Sequence, residues 1–457
     1  MADHKFGFRT RALHAGGTPD AEHGARAVPI YQSTSFVFKD TDDAANLFAL
    51  QKYGTTYSRI GNPTVAAFEE RMASLEGGIG AVATGSGMAA EFVTFAALAQ
   101  AGDHIVASSK LYGGTITQLD VSLRRFGINT TFIDSNDPAD FDAAIQENTK
   151  AVYTEVIANP SGDIADVKGL AEVAHRHQIP LVVDSTLTPP YILRPLEHGA
   201  DIVIHSATKF IGGHGTTLGG VVIESGKFDW GNGKFPAMTE PVASYGNVSW
   251  WANFGEYGFL TKLRSEQLRD FGPALPAQSA FQLLQGLETL PQRMDNHLAN
   301  AKQVAAWLEA DPRVTYVNYA GLESHPQFAH AKELLPMGVG SVFSFGVKGG
   351  RKAGTKFIEA LQLASHLANI GDARTLVLHP ASTTHQQLSP EQLNAAGVPE
   401  DLIRLSVGLE DVEDILWDLD QALTASQEAV ASSADDFAEP TYDGAACTIN
   451  AAPKGAN

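Results

Sequence analysis

Residues 181–215 read LVVDSTLTPPYILRPLEHGADIVIHSATKFIGGHG, and this stretch decides the fold class. It contains two short apolar runs, Leu181–Val183 and Asp201–Ile204, and a polar residue directly follows each. Runs such as LVV and IVI lack polar alternation, so they predict strands that are covered on both faces. Such strands are typical of parallel sheets, because crossover helices cover both faces of those sheets.

The same rhythm extends to both sides of this stretch, where short apolar runs alternate with longer segments of helical period. The helical segments include Met88–Ala101 and Val167–His177. This alternation predicts an α/β fold with a large, open and mostly parallel sheet of seven strands. The other five strands are predicted at Ile79–Ala83, His104–Ala107, Thr131–Ile133, Ala151–Val156 and Leu218–Ile223.

The sequence predicts that the chain has four parts. Residues 1–60 lack sustained periodicity, so we expect an arm that contacts a neighbouring subunit. Residues 61–285 would form the large domain, in which residues 224–262 are an insertion rich in glycine and aromatic residues. Residues 286–430 would form a smaller α/β domain, and residues 431–457 a mobile tail. The predicted elements near and in the smaller domain are a helical stretch Leu275–Ala310, strands Val314–Asn318, Val342–Val347 and Ile403–Val407, and a last helix Leu409–Ala429.

Composition and charge exclude several classes of protein. Of the 457 residues, 44% are hydrophobic and 18% are charged, which excludes a disordered or collagen-like chain. The 32 basic and 52 acidic residues give a net charge of −20, so no basic face for nucleic acid is expected. The single cysteine, Cys447, cannot form an internal disulfide, and no apolar run approaches the length of a membrane span. These features predict a cytoplasmic protein without nucleic-acid or membrane partners.

Histidines lie near several predicted strand ends and could indicate a metal site. They are His205, His214, His379 and His385. No H-E-x-x-H motif or cysteine-rich spacing accompanies them, so we expect no metal site.

A glycine-rich turn follows the first predicted strand. Residues 84–88 read TGSGM and lead directly into a helix. Glycines let a phosphate approach the backbone, and a helix N-terminus offers unpaired N–H groups and a partial positive charge. The turn equally fits a tight connection without a ligand. A dinucleotide is not expected, because the next strand ends in Ala107-Ser108-Ser109 rather than in an acidic residue.

Side chains that could take part in a reaction follow two further predicted strands. Asp184 directly follows Leu181–Val183, and alone it could simply cap the next turn. Lys209 follows the next predicted strand amid apolar residues and glycines, where desolvation would lower the pKa of its amine and make it nucleophilic. Ser206 and Thr208 place two hydroxyl groups beside it. Pyridoxal phosphate needs a lysine for a Schiff base, an acid at its pyridine nitrogen and a phosphate-binding cup, and these strand ends supply all three.

On these residues the sequence resembles the Cys/Met-metabolism family of fold-type I pyridoxal-phosphate enzymes, from about Phe8 to Ala429. The most specific stretch is residues 184–215, which is similar to the family signature around the cofactor lysine. The resemblance implies a fold-type I transferase with a large sheet domain and a smaller C-terminal domain. Further matches are YSRIGNPT (57–64), GSGMAA (85–90), LYGGT (111–115), NPSG (159–162), RMDNHLANA (293–301), HPASTTH (379–385) and IRLSVGLE (403–410).

The resemblance implies a role for each matching residue around the cofactor. Lys209 would form the Schiff base, and Asp184 would pair with the pyridine nitrogen. Tyr112 would stack on the cofactor ring, and Asn159 would bond its phenolic oxygen. Of these four, Lys209, Tyr112 and Asp184 would be catalytic. The phosphate would be held by Ser86, Gly87, Met88, Ser206 and Thr208.

The resemblance also implies which residues bind the substrate and which reach a neighbouring subunit. Arg404 would bind the substrate α-carboxylate through a bidentate fork, and Asn369 and Tyr57 would complete the substrate site. Tyr57 and Arg59 would reach the phosphate in the neighbouring subunit. That arrangement implies a homo-oligomer, at least a dimer with shared active sites, and the usual assembly in the family is a tetramer.

Two segments favour one branch of the family. The insertion at residues 224–262 resembles that of the O-acetylhomoserine sulfhydrylases, and ANIGDARTL (368–376) favours the same branch. We therefore expect γ-replacement, in which O-acetyl-L-homoserine and sulfide give L-homocysteine and acetate, as in methionine biosynthesis by direct sulfhydrylation. A cystathionine γ-synthase or methionine γ-lyase reaction is the alternative within the family. A catalytically silent phosphate-binding module is the alternative outside it, and both acetyl and succinyl esters stay open as substrates.

Overall fold

The computed structural model describes residues 4–384, 386 and 397–432. The predicted tail lies outside the described residues, apart from residues 431 and 432 at the end of the last helix. Cys447 and His385 also lie outside them. In the described part of the chain, no helix is both long enough and apolar enough to cross a membrane.

The large sheet has seven strands: β1 (Gly80–Thr84), β2 (His104–Ser108), β3 (Asn129–Ile133), β4 (Thr149–Glu155), β5 (Leu181–Asp184), β6 (Ile202–His205) and β7 (Gly220–Glu224). Their spatial order is β1-β7-β6-β5-β4-β2-β3. Strand β7 is antiparallel to β1 and β6, and every other neighbouring pair is parallel. Every residue of β5 and β6 is buried, as expected for strands covered on both faces. The prediction of a mostly parallel, seven-stranded sheet is confirmed.

The helices around this sheet follow from local signals in the sequence. Helix α3 begins where the Asn62 side chain accepts a hydrogen bond from the Thr64 N–H, and it ends at Gly77, whose φ of 82° suits glycine. The helices are α1 (Phe8–His14), α2 (Thr41–Phe48), α3 (Pro63–Glu76), α4 (Gly87–Leu98), α5 (Gly113–Thr117), α6 (Pro138–Ala144), α7 (Val167–Arg176), α8 (Pro236–Thr239), α9 (Trp250–Phe254), α10 (Gly258–Lys262), α11 (Arg269–Phe271) and α12 (Ala277–Glu288).

The segment at residues 224–262 packs around an aromatic core of its own. Trp230 is fully buried, stacks on Phe259 with ring centroids 4.9 Å apart, and donates a hydrogen bond to the Glu224 carboxylate at 2.7 Å. Trp250 is fully buried as well and contacts Tyr245 edge to face. The segment therefore folds against the edge of the sheet that contains β1 and β7.

A second sheet of five strands follows, with β8 (Val314–Asn318), β9 (Val342–Val347), β10 (Ser365–His366), β11 (Leu376–Leu378) and β12 (Leu402–Ser406), in the order β10-β11-β12-β9-β8. Its helices are α13 (Leu290–Ala310), α14 (Phe328–Leu334), α15 (Gly350–Ala360) and α16 (Val412–Ala431). Strands β10 and β11 have two and three residues, too few to show an apolar period. The helical stretch predicted at Leu275–Ala310 is two helices, α12 and α13, which are separated at Thr289. The domain boundaries at 60, 285 and 430 stay predictions.

Candidate active site

One cavity joins the ends of the two sheets. Its volume is about 230 Å³, and it is lined by residues at or just after the ends of β1, β4, β5 and β6 and by Arg404 of β12. Eleven of the residues predicted for the site line this cavity: Ser86, Gly87, Met88, Tyr112, Asn159, Asp184, Ser206, Thr208, Lys209, Asn369 and Arg404. The other two, Tyr57 and Arg59, do not line it.

The glycine-rich turn lies at one end of the cavity. Ser86 caps α4, since its hydroxyl accepts a hydrogen bond from the Ala89 N–H at 3.2 Å. A Cβ on Gly87 would lie 2.6 Å from the Cβ of Ser206, so glycine is needed for α4 to begin this close to the loop after β6. The N-terminus of α4 and the Ser206 side chain therefore border the same space, which suits a phosphate group.

Hydroxyl groups hold the loop that follows β6. The Ser206 N–H donates a hydrogen bond to the Thr186 hydroxyl at 2.8 Å. The Thr208 hydroxyl accepts from the Gly219 N–H at 3.1 Å and donates to the Gly219 carbonyl at 3.2 Å. Thr208 thus stabilises the loop in addition to lining the cavity.

Lys209 places its amine inside the cavity. Burial and, to a smaller extent, the positive charge of Arg404 together lower the pKa of Lys209 to about 8. The amine Nζ donates a hydrogen bond to the Asn369 side-chain oxygen. With this pKa about one amine in ten is neutral at pH 7, so Lys209 can act as a nucleophile or as a base.

Arg404 lies on β12 and reaches the cavity from the smaller sheet. Its Nη2 donates to the Asn369 carbonyl at 3.1 Å, and its Nη1 lies 3.5 Å from the Asn159 side-chain oxygen. Burial lowers the pKa of Arg404 to about 10, so the guanidinium stays charged at neutral pH. The arrangement offers a fixed, partly desolvated cation for an anionic group of a ligand.

Three buried carboxyl groups line another part of the cavity. Burial raises the pKa of Asp184, although the Thr186 N–H donates to this carboxylate at 2.8 Å. Burial and the charge of Asp184 raise the pKa of Glu91 to about 8 and the pKa of Glu155 well above its ordinary value. Within the described residues, no group of His, Cys, Asp and Glu side chains has an arrangement that could hold a metal ion.

Glu91 and Glu155 were not among the residues predicted from the sequence. Glu155 accepts a hydrogen bond from the Tyr112 N–H at 2.6 Å, and Glu91 accepts one from the Thr115 hydroxyl at 2.9 Å. Glu155 lies inside the predicted strand Ala151–Val156, so a search among residues that follow each strand passes over it. The signal for Glu91 is that it is the one charged residue in the apolar segment Met88–Ala101.

The remaining predicted residues lie at the mouth of the cavity and on the arm. Tyr112 precedes α5 and is about half exposed. Tyr57 is 43% exposed, and the Arg59 guanidinium lies 5.4 Å over its ring. Arg59 also donates a hydrogen bond to the carbonyl of Arg269. These two arm residues contact each other and not the cavity of their own chain.

Comparison with known proteins gives a consistent result. The family model described as Cys/Met metabolism PLP-dependent enzyme matches residues 9–424. The Sulfhydrylase FUB7 of Fusarium oxysporum f. sp. lycopersici is 52% identical over 92% of this chain and 98% of its own length. The homocysteine synthase of Schizosaccharomyces pombe is 51% identical over 91% of this chain and 98% of its own. The O-acetyl-L-homoserine sulfhydrylase of Leptospira meyeri is 49% identical over 92% of this chain and 97% of its own.

A solved structure shares the fold. It is that of a proposed O-acetylhomoserine (thiol)-lyase from Campylobacter jejuni, solved with N'-pyridoxyl-lysine-5'-monophosphate. The TM-score is 0.88 and the identity 37%, over 92% of this chain and 100% of that chain.

Proposed function

The chain belongs to the Cys/Met-metabolism PLP-dependent enzymes, and from that premise we propose that it converts O-acetyl-L-homoserine and sulfide to L-homocysteine and acetate. The observation that carries the proposal is the cavity in which Lys209, Asp184 and Arg404 meet. The choice of substrate is supported by relatives of about 50% identity over nine-tenths of the chain, which bear the names O-acetyl-L-homoserine sulfhydrylase and homocysteine synthase.

The residues of the cavity fit pyridoxal phosphate. The close contact of Gly87 with Ser206 brings the N-terminus of α4 and a hydroxyl group to one end, where they would hold the phosphate. Asp184 would face the pyridine nitrogen, and Lys209 would attach to the aldehyde carbon. The buried Asp184 carboxylate is costly without a positive partner, and a protonated pyridine nitrogen would supply one.

Lys209 and Arg404 would have different roles toward the substrate. Pyridoxal phosphate, when bound, withdraws electrons from the substrate and makes its Cα–H acidic. Arg404 would hold the α-carboxylate and thereby orient the Cα–H bond. The Lys209 amine, whose pKa of about 8 lies near neutral pH, would accept the proton from Cα and later return it. Once it has passed the Cα proton to the cofactor, the amine would be free to accept a second proton from Cβ, because acetate lies one carbon too far from Cα to leave after a single proton transfer.

Tyr112 would assist as the ring that stacks on the cofactor. Its main-chain N–H is held by Glu155, and its side chain lies at the mouth of the cavity. Asn159 and Asn369 border the same space and contact Arg404, so they would fix the position of its guanidinium. Asn369 also accepts a hydrogen bond from the Lys209 amine, which gives that amine a defined direction.

We further propose a homo-oligomer whose subunits share active sites, assembled as a dimer and then as a tetramer. The arm carries large apolar side chains that its own chain does not cover, such as Val37, which is fully exposed, and Tyr53, which is 84% exposed. Tyr57 and Arg59 lie on the same arm and away from their own cavity, so they are available to the phosphate end of a neighbouring subunit. The single cysteine fits a reducing compartment, and we expect the enzyme to work in the cytoplasm.

Substrate pairs test the proposed reaction. The purified enzyme is supplied with O-acetylhomoserine and sulfide, and the products are identified by mass spectrometry; we expect homocysteine and acetate. Parallel reactions use O-succinylhomoserine with sulfide, O-acetylhomoserine with cysteine, and methionine alone. Cystathionine as the main product, or release of methanethiol from methionine, would replace the proposed reaction by another of the same family. A protein that binds no pyridoxal phosphate and turns over none of these pairs would contradict the enzyme itself.

A further inference from the structure

One face of helix α13 carries polar side chains at a helical spacing of three and four residues. Arg293, Asn296, His297 and Asn300 therefore lie on the same side of the helix. Arg293, His297 and Asn300 are buried, although none of them lines the cavity. This polar face contacts the loop that follows Lys209 and the segment that follows β12, the strand of Arg404.

Arg293 binds the loop that directly follows Lys209. Its Nη1 donates to the Phe210 carbonyl at 2.7 Å, and its Nη2 donates to the carbonyls of Ile211 at 3.2 Å and Gly286 at 2.7 Å. Its Nε lies 3.3 Å from the Thr289 hydroxyl. The guanidinium thus uses its whole fork on backbone carbonyls and one hydroxyl.

The burial of Arg293 has an electrostatic cost. Arg293 is only 6% exposed, and among the described residues no carboxylate forms an ion pair with it. Burial lowers the pKa of Arg293 to about 10, so it stays charged at neutral pH. An apolar side chain of similar length would fill the same space without this cost. The charge and the fork must therefore serve the loop rather than the packing of the core.

The backbone around Lys209 is shaped to receive this guanidinium. A Cβ on Gly213, which has a φ of 72°, would lie 2.1 Å from the Arg293 guanidinium. A Cβ on Gly286 would lie 2.2 Å from the Ile211 carbonyl oxygen, and one on Gly371 would lie 2.8 Å from the Phe210 backbone nitrogen. Three close approaches thus fix the loop from three sides, and each depends on a glycine.

The same face of α13 also holds the segment that follows β12. The His297 ring Nδ1 lies 2.7 Å from the Val407 carbonyl, and the Asn300 side chain donates to the Glu410 carbonyl at 2.8 Å. The Ala373 N–H donates to the Gly213 carbonyl at 2.9 Å, which ties the segment containing Asn369 to the Lys209 loop. Helix α13 therefore joins the base and the carboxylate-binding cation of the proposed reaction.

We propose that Arg293 is a positioning residue, which acts through the carbonyl groups of Phe210 and Ile211 to hold the Lys209 amine in the direction needed for attachment to the cofactor and for proton transfer. Only the part of this role that concerns proton transfer rests on the proposed function. The part that concerns attachment of the cofactor can be tested without a substrate. A misplacement of about 1 Å in such a site costs about 100-fold in rate.

The test separates attachment of the cofactor from its binding. Cofactor-free Arg293→Met and Arg293→Ala proteins are mixed with pyridoxal phosphate, and the absorbance of the lysine-bound form is followed over time. We expect attachment about 100-fold slower than in the parent protein. The affinity for 4-deoxypyridoxine 5'-phosphate, which has no aldehyde and cannot bond a lysine, should stay unchanged. In turnover the loss should fall on kcat and leave KM nearly unaltered.

Two controls isolate the role of the guanidinium. Guanidinium ion, added below its denaturing concentration, should restore attachment to Arg293→Ala, because it can occupy the vacated space between the carbonyls. Arg71 is the control, since it is also buried and donates to backbone carbonyls, those of Ala15 and Leu284, but does not contact the Lys209 loop. Unlike Arg293 it has a carboxylate partner, since its Nη1 lies 3.6 Å from Glu288. Arg71→Met should lower the thermal stability and leave attachment fast.

Other outcomes would overturn the proposal. Attachment at the parent rate in Arg293→Ala, or equal slowing in Arg71→Met, would show that Arg293 only stabilises the fold. Weaker binding of the deoxy analogue to the same extent would place the defect in the phosphate site. Should Arg293→Met not fold, Arg293→Lys gives the same comparison, because lysine keeps the charge but cannot bridge several carbonyls. Failure of the parent enzyme to make homocysteine would refute the proposed function and leave the attachment result standing.

Discussion

The pKa of Lys209 leads to a quantitative prediction about how fast the cofactor attaches. Only the neutral amine attacks an aldehyde, and the pKa of Lys209 is about 8 instead of its ordinary value of 10.5. At pH 7 about one amine in ten is neutral with the lowered pKa, against about one in three thousand with the ordinary one. The lowered pKa thus raises the fraction of reactive, neutral amine about 300-fold at neutral pH.

The assay measures attachment across the pH range. Cofactor-free enzyme is mixed rapidly with pyridoxal phosphate between pH 6 and pH 10, and the absorbance of the lysine-bound form gives the rate. N-acetyl-lysine methyl amide with the same aldehyde serves as the reference, and dividing the two rates cancels the titration of the cofactor itself. We expect the enzyme rate to rise about tenfold from pH 6 to pH 7 and to level off above about pH 8, whereas the reference keeps rising to about pH 10.

A variant of Arg404 tests the cause of the shift. The charge of Arg404 lowers the pKa of Lys209, so Arg404→Gln should move the plateau to higher pH without restoring the ordinary value, because burial remains. An enzyme plateau that coincides with the reference would refute the reasoning, since it would show that Lys209 reacts as a solvated lysine. An unchanged plateau in Arg404→Gln would assign the whole shift to burial.

Three further predictions concern the acids and the arm. Asp184→Asn should lower kcat by about 100-fold with little change in KM, because the charge that stabilises a protonated pyridine nitrogen is lost; steady-state kinetics measure both, and an unaltered kcat would make Asp184 structural. Glu155→Ala leaves the N–H at the start of α5 without an acceptor and should cost about 1–3 kcal/mol in the free energy of unfolding, whereas Glu155→Gln keeps an acceptor and should stay near the parent in denaturant titrations. Mixing inactive Tyr57→Phe/Arg59→Ala subunits with inactive Lys209→Ala subunits should recover about a quarter of the parent activity in randomly assorted dimers, since each mixed dimer has one complete site. Subunit exchange without any recovery would mean that one chain builds the whole site.

The sheet and most of the cavity could be predicted from the sequence because both depend on local patterns. Uniform apolar runs identify strands of a covered sheet, and the residues after Leu181–Val183 and after the next strand lie at its carboxyl edge, where ligands bind. Asp184 and Lys209 indeed line one cavity. Strands β10 and β11 were not predicted because two or three residues show no period. Strand β10 pairs with β11, and β11 pairs in turn with β12, which lies far along the chain.

The two buried glutamates could not be predicted from local patterns in the sequence. A carboxylate inside a strand or a helix is expected to face solvent, so a sequence pattern assigns Glu91 and Glu155 no role. Their burial depends on the turn of α4 and the end of β4 in three dimensions, and the N–H of Tyr112 that bonds Glu155 lies 43 residues earlier in the chain. Contacts of this length have no local signature. The same holds for Arg293, because two of its three carbonyl acceptors, Phe210 and Ile211, lie 83 and 82 residues earlier in the chain.

The charges of the cavity, taken together, favour one kind of ligand. Burial and the charge of Asp184 raise the pKa of Glu91 and of Glu155, whereas burial and the charge of Arg404 lower the pKa of Lys209. Burying the acids or the two cations without oppositely charged partners costs free energy, so the cavity has two separate electrostatic costs. A ligand that brings a cation to the acids and anions to the α4 N-terminus and to Arg404 relieves both at once. Pyridoxal phosphate with an amino-acid substrate has this distribution, with a protonated ring nitrogen, a phosphate and an α-carboxylate. The electrostatic cost of the cavity is therefore itself a source of affinity and of selectivity, because a ligand lacking any one of these charges leaves part of the penalty in place.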